Sequence, residues 1–163
     1  MNQHFNRIIR KNTIILNAKR EEVFPLLCPV REKEWLPGFS SEIIFSASEI
    51  SELDGVFLTH KNETDEAVWI IPVYDKNNFI ELIYFQPKMK VVVIKLNLTD
   101  LPDNKTSLAV EYTYTSLSEE GNEQIYAITD DLFKKQINIW QVCLNYLFKS
   151  GTRIPEEMIL GHH

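Results

Sequence analysis

Glycine is scarce in this chain, with five in 163 residues. No Gly-rich loop is left to cradle a phosphate on backbone amides, and no strand-to-helix elbow presents a nucleophile. Cysteine is scarcer, at two. Cys28 precedes a proline and Cys143 lies in a helical pattern, so neither a disulfide framework nor a structural zinc site is expected. A reducing, cytoplasmic setting is the default. Two of the four histidines, His162 and His163, end the chain and are left out of the fold reasoning. Positive charge is in deficit, 17 Lys and Arg against 23 Asp and Glu for a net −6, which argues against nucleic-acid binding. No run of about 18 apolar residues exists to span a membrane, and Met1 to Lys19 lacks the apolar centre of a signal peptide. Neither a metal nor a cofactor is implied.

What is present is a soluble, globular balance of 44% hydrophobic and 25% charged residues. The length fits one domain, 1–163, long enough to bury a core without staples and to enclose a cavity. The strongest pattern runs from Thr129 to Gly151. Thr129 caps a helix start, Asp130 and Asp131 complement its first-turn N–H groups, and Gly151 suits the left-handed residue that ends it. At about 100° per residue, Leu132, Phe133, Gln136, Ile137, Ile139, Trp140, Cys143, Leu144, Tyr146, Leu147 and Phe148 share an arc of roughly 200°. Lys134, Lys135, Asn138, Gln141, Asn145 and Lys149 fill the rest. Ordinary surface helices need a stripe of only about 100°, so this helix is expected to be gripped from three sides.

Upstream, Phe5 to Asn17 alternates as a strand, with Ile8, Ile14 and Leu16 on one face. Ala18 to Cys28 reads as a short helix tolerating Pro25 near its first turn, and Arg31 to Leu36 as a second, stopped by Pro37-Gly38. Strands are expected near 42–49, 54–61, 66–74, 78–86, 90–98 and 106–116. Turn formers separate them at 52–55, 62–65, 75–78, 86–88 and 101–104, and follow the last at Ser118 to Asn122. Such a meander must curl, and the final helix is the one element able to cover its apolar face. A sheet wrapped around one helix leaves space at the end that the helix does not fill.

This order of elements resembles the START-related, SRPBCC or helix-grip superfamily, which includes birch-pollen-allergen-like proteins, lipid-transfer domains and polyketide cyclases. The stretches "AKREEVF" (18–24), "CPVREKEWLPGF" (28–39), "AVWIIPVY" (67–74) and "EYTYTSLSEEGN" (111–122) are similar to bacterial members of unassigned function. The resemblance implies an α+β helix-grip fold, a curled antiparallel sheet of about seven strands around a long C-terminal helix. It also implies an elongated cavity that holds a hydrophobic small molecule such as a lipid or a polyketide, with no shared cofactor.

Candidate ligand contacts follow from the residue types. Gln136 is an amide in an apolar arc, which costs about 1–3 kcal/mol unless a tyrosine, water or ligand meets its hydrogen bonds; the pocket is the preferred partner. Trp140 and Cys143 share its face, and Trp69 is a wall in either a core or a pocket. Tyr84, Tyr112 and Tyr114 need partners for their hydroxyls if buried, which suits orienting a polar ligand atom. His60 follows Val56 and Leu58 at period two, so it is expected to point inward, as a rim residue or a proton donor. Trp35 flanks the expected entrance, and Glu32, Glu34, Glu119, Glu120 and Glu123 read as surface charge. Two alternatives to a binder stand beside it. One is a cyclase-, aromatase- or hydratase-like enzyme using cavity tyrosines or His60; the other is a co-chaperone-like module using the sheet's outer face.

Overall fold

The computed structural model describes residues 6–60 and 66–159. Seven strands form one antiparallel sheet: β1 (Arg7–Leu16), β2 (Ser41–Phe45), β3 (Val56–His60), β4 (Glu66–Asp75), β5 (Phe79–Gln86), β6 (Lys90–Leu101) and β7 (Lys105–Ser116). Their order is β1-β7-β6-β5-β4-β3-β2, so strands 2 to 7 are a meander and β1 joins beside the last. Between β1 and β2 lie α1 (Arg20–Val23) and two single 3₁₀ turns, Phe24–Leu26 and Glu32–Glu34. After β7 come α2 (Glu119–Tyr126), α3 (Asp130–Ser150) and α4 (Glu156–Ile159). The expected turn at 62–65 lies outside the described residues.

Alternation fixes which face of each strand is inside. Ile14 and Leu16 of β1, Ile80 and Leu82 of β5, Val92, Ile94, Leu96 and Leu98 of β6, and Leu108 and Val110 of β7 are buried on the concave face. On β3 and β4 the concave residues are Phe57, Thr59, Trp69 and Ile71, because Phe57 pairs with Trp69 and the Trp69 indole donates to Thr59 Oγ1 at 2.8 Å. A register shift between Ile70 and Val73 then bends β4, and Ile71 trades backbone hydrogen bonds with residues 54 and 55 instead of β5. The convex face carries Val68, Ile70, Val73 and Phe85, each 38–42% exposed.

The α3 helix has the expected limits. Thr129 Oγ1 accepts from the Leu132 N–H at 3.1 Å, and Gly151 at φ 76° closes the end with its N–H on the Leu147 carbonyl. It is not gripped evenly, however. Phe133, Ile137, Cys143 and Leu144 are buried, while Leu132 and Gln136 are exposed. The polar flank has a structural task along the open edge of β1. Gln141 Oε1 accepts from the Ile15 N–H at 2.8 Å, and the Asn145 amide donates to the Ile15 carbonyl and accepts from the Asn17 N–H. Asn138 accepts from the Asn12 side chain at 3.1 Å. An edge strand's unpaired backbone is thus met by side-chain amides, and β1 offers no free ladder there.

The α2 helix corrects the sequence reading, which placed only a turn from Ser118 to Asn122. Gly121 and Asn122 read as turn formers, but Ser118 caps the helix by accepting from the Gly121 N–H at 2.9 Å, with Glu119 and Glu120 in the first turn. Gly121 is there for proximity: a Cβ on it would sit 1.9 Å from the Met89 carbonyl oxygen. In a free helix Gly121→Ala gains about 1 kcal/mol of propensity. Here the clash is with backbone, which cannot rotate aside, and overpacking of this kind costs about 1–3 kcal/mol. Gly121→Ala is therefore expected to lower the urea midpoint. A rise would show that α2 does not rest on the β5–β6 turn.

Candidate functional site

One row of paired residues crosses the concave face: Ile8, Tyr114, Val92, Tyr84, Trp69 and Phe57 on β1, β7, β6, β5, β4 and β3 in turn. Beside Tyr114 on β7, two residues along, stands Tyr112. Its ring meets Phe133 edge-on at 5.2 Å between centroids, Trp140 at 6.3 Å and Tyr114 at 5.7 Å. Trp69 and Tyr84 lie against each other at 4.7 Å. Phe133 and Trp140 thus bring α3 onto Tyr112, yet Thr59, Trp69, Tyr84, Tyr112 and Trp140 all keep part of their surface accessible. Concave-face side chains stay accessible only where the covering helix does not seal them. That region, along the flank of α3 that turns away from β1, is the candidate cleft.

Gln136 marks that flank. It lies about 160° around the helix from Asn138, which faces β1, and between Phe133 and Trp140 on the i, i+3 and i, i+4 rows. It is exposed, not enclosed as its place in the apolar arc led one to expect. Towards the end of α3 the same flank is covered. Cys143 is fully buried, its thiol pushed up to about 11 by burial, and it borders no open space. Trp35 corrects another expectation. It is 0% exposed, its indole donates to the Leu26 carbonyl at 2.8 Å, and it meets Trp140 edge-on at 5.8 Å. It is an anchor and not a gate. His60 also departs from its expected inward direction, because the inward residues of β3 are Phe57 and Thr59. His60 is exposed on the convex side, with Nδ1 3.5 Å from Glu66 Oε2.

The residue that the sequence reading passed over is Glu32. It sits on the 3₁₀ turn that Trp35 pins to α3, with the Trp35 and Leu36 N–H groups on its carbonyl. The residue as a whole is half-buried, but its carboxyl is surrounded by protein, and burial alone pushes it up to about 8. The Tyr112 hydroxyl is raised well above its ordinary value, first by burial and then by the charges of Tyr114, Glu32 and Tyr84. Burial likewise raises Tyr114. Neither the Glu32 carboxyl nor the Tyr112 hydroxyl has a hydrogen-bond partner among the described residues. A run of "REKE" reads as surface charge from sequence alone; only the tryptophan three residues later hinted that one of its members is drawn inside.

A separate groove of about 460 Å³ lies on the outer side of α3, lined by Asn17, Val142, Asn145, Tyr146, Phe148 and Lys149. It is open to solvent and includes none of the aromatic row. The partly accessible aromatics make this part of the concave face the candidate site, and the outer groove includes none of them.

No protein-family model and no curated protein sequence matches the chain. Solved structures do. Ara h 8.0201 aligns with a TM-score of 0.63 at 13% identity over 89% of this chain and 100% of that one. Norcoclaurine synthase from Thalictrum flavum, in complex with dopamine and hydroxybenzaldehyde, aligns at 0.63 and 10% identity over 89% and 88%. The chain has the helix-grip fold. A third helix-grip structure, DynU16, a putative protein in the dynemicin biosynthetic locus, aligns at 0.61 and 12% identity over 88% of this chain, which spans about half, 48%, of that one.

The buried acid has a consequence for stability. Its folded-state affinity for the proton exceeds that of the unfolded chain, where a glutamate titrates near 4.3. Its contribution is therefore most favourable below about pH 4.3, is lost as pH rises towards about 8, and levels off above that. The slope in that window reaches about 1.4 kcal/mol per pH unit. Glu32→Gln removes it, so the variant should gain on the wild type steadily from pH 5 to pH 8 in urea unfolding. Parallel profiles would place the carboxyl in water.

Proposed function

We propose that this protein binds a small, predominantly apolar molecule in the cleft between α3 and the concave face. The observation that carries the reading is the aromatic set of Trp69, Tyr84, Tyr112 and Trp140, which is deep in the fold and still partly accessible. Apolar walls with a few placed polar groups are the usual make-up of a small-molecule site. Trp69, Tyr84, Tyr112, Tyr114 and Trp140 are the contacts proposed, with Gln136 at the mouth. Cys143 enters only as packing behind the wall, and His60 has no part in it. The neighbour from Thalictrum flavum, in complex with dopamine and hydroxybenzaldehyde, supports a small aromatic ligand over a long-chain lipid.

A second reading has one observation of its own. Val68, Ile70, Val73 and Phe85 form an exposed apolar patch on the convex face, the surface an interaction module would use. Two substitutions separate the readings at positions already exposed, where folding is spared. Gln136→Trp narrows the cleft mouth, and Val68→Glu charges the patch. With an apolar fluorescent probe such as anilinonaphthalene sulfonate, the wild type should show saturable uptake at one site. Gln136→Trp should weaken it several-fold and Val68→Glu should leave it unchanged. The reverse pattern would move the binding surface to the convex face.

A further inference from the structure

We propose that the groove on the outer side of α3 is a second binding site, which takes a medium-chain carboxylic acid in its ionised form. It lies apart from the cleft and does not rest on the cleft reading.

The groove opens where β1 and α3 part. Along α3, Asn138, Gln141 and Asn145 reach in turn to Asn12, Ile15 and Asn17, so strand and helix run side by side. The next residue in that row, one turn beyond Asn145, is Lys149. By then the strand has left. After Asn17 the chain turns inward: Ala18 is buried, and its carbonyl accepts from Thr106 Oγ1 at 2.7 Å. The helix runs on past its last tie, and the space that the strand leaves is the groove of about 460 Å³. Small-molecule sites typically hold about 300 to 1,000 Å³.

Its lining selects the ligand. At about 100° per residue, Val142 and Tyr146 flank the row of Asn145 and Lys149 on one side, and Phe148 flanks it on the other. These three apolar side chains pack against the core and are only partly buried, so they are held in place with one side open. The slot they bound follows the helix axis. From 142 to 149 it is about 10 Å long, at about 1.5 Å per residue. A carbon chain with bonds of about 1.5 Å advances about 1.3 Å per atom, so about eight carbons fill that length.

Charge decides the head group. Of the described residues that line the groove, Lys149 alone is charged, and it is positive. In a chain of net charge −6, a cation at the end of an apolar slot favours an anionic head. The Asn17 side chain, exposed at the same groove, offers an amide donor beside it. Bare carbonyls at a helix C-terminus would repel an anion. Two of them are met here, the Leu147 carbonyl by the Gly151 N–H at 2.8 Å and the Tyr146 carbonyl by Ser150 Oγ at 2.7 Å. A carboxylate at Lys149, with its chain along Val142, Tyr146 and Phe148, matches both parts of the lining.

The test is residue-resolved NMR of the labelled full chain, titrated with octanoate, octanol and octylamine at pH 7. Octanoate should shift the amide signals of Asn17 and of 142–149 saturably, and leave the Trp69 indole signal in place. It should bind more tightly than octanol by up to about fivefold at low salt, the range an exposed ion pair supplies. Salt at about 0.5 M should remove most of that margin. Octylamine should bind more weakly than octanol. Positions 17 and 149 are exposed, so folding is spared there. Lys149→Gln and Asn17→Asp should each abolish the preference for octanoate over octanol, and Lys149→Arg should keep it. Equal binding of octanol and octanoate, or an unchanged preference in Lys149→Gln, would overturn the anion site. Shifts confined to Trp69 and its neighbours would overturn the groove and support the cleft, and no saturable shift at 142–149 would overturn the groove alone.

Discussion

The structure depends on how α3 is tied to one edge of the sheet. Gln141 and Asn145 supply the hydrogen bonds that the Ile15 and Asn17 backbone would otherwise lack, and Asn138 adds a side-chain link to Asn12. This holds the helix beside β1. A seven-stranded sheet is far wider than one helix, since strands are spaced about 4.8 Å apart and a helix with its side chains is about 10 Å across. A helix fixed at the β1 edge cannot also cover β3 and β4. The far side of the concave face must be filled by something else or remain open.

Two solutions are used along the length of α3. Near its end, Trp35 and the segment after the helix fill the gap, and Cys143, Leu144 and Ile154 are buried there. Near its start Phe133 meets Tyr112, while Tyr84 and Trp69 keep part of their surface accessible, and the candidate cleft lies there. Trp140 stands at the boundary, against Trp35 on one side and Tyr112 on the other. The same boundary carries Glu32 inward. The packing that closes one half of the molecule therefore delivers the polar group that marks the other half.

Much of this was legible in the sequence. The caps at Thr129 and Gly151, the period of the meander and the turn formers at 75–78, 86–88 and 101–104 are local signals, and local signals survive folding. The direction of a side chain is not local. His60 shares a face with Val56 and Leu58, but which face is inner depends on Phe57 pairing with Trp69 across strands. Gln136 lies in an apolar arc, yet an arc shows what is apolar and not what covers it. Asn138, Gln141 and Asn145 read only as the polar remainder of the helix, because a strand edge on another element does not register in helical periodicity. Glu32 was hidden by its neighbours: three charged residues beside it face outward, and only contact with α3 turns it in. The α2 helix was lost to Gly121 and Asn122, though Ser118 carried a capping signal.

The account turns on whether the Glu32 carboxyl, on the turn that Trp35 packs against α3, is held out of water. A titration of the carboxyl carbon shift of Glu32 by NMR, in protein labelled at glutamate, measures this directly, with Glu32→Gln assigning the resonance. The account predicts a midpoint near pH 8. A midpoint near 4.3, where a solvated glutamate titrates, would contradict it.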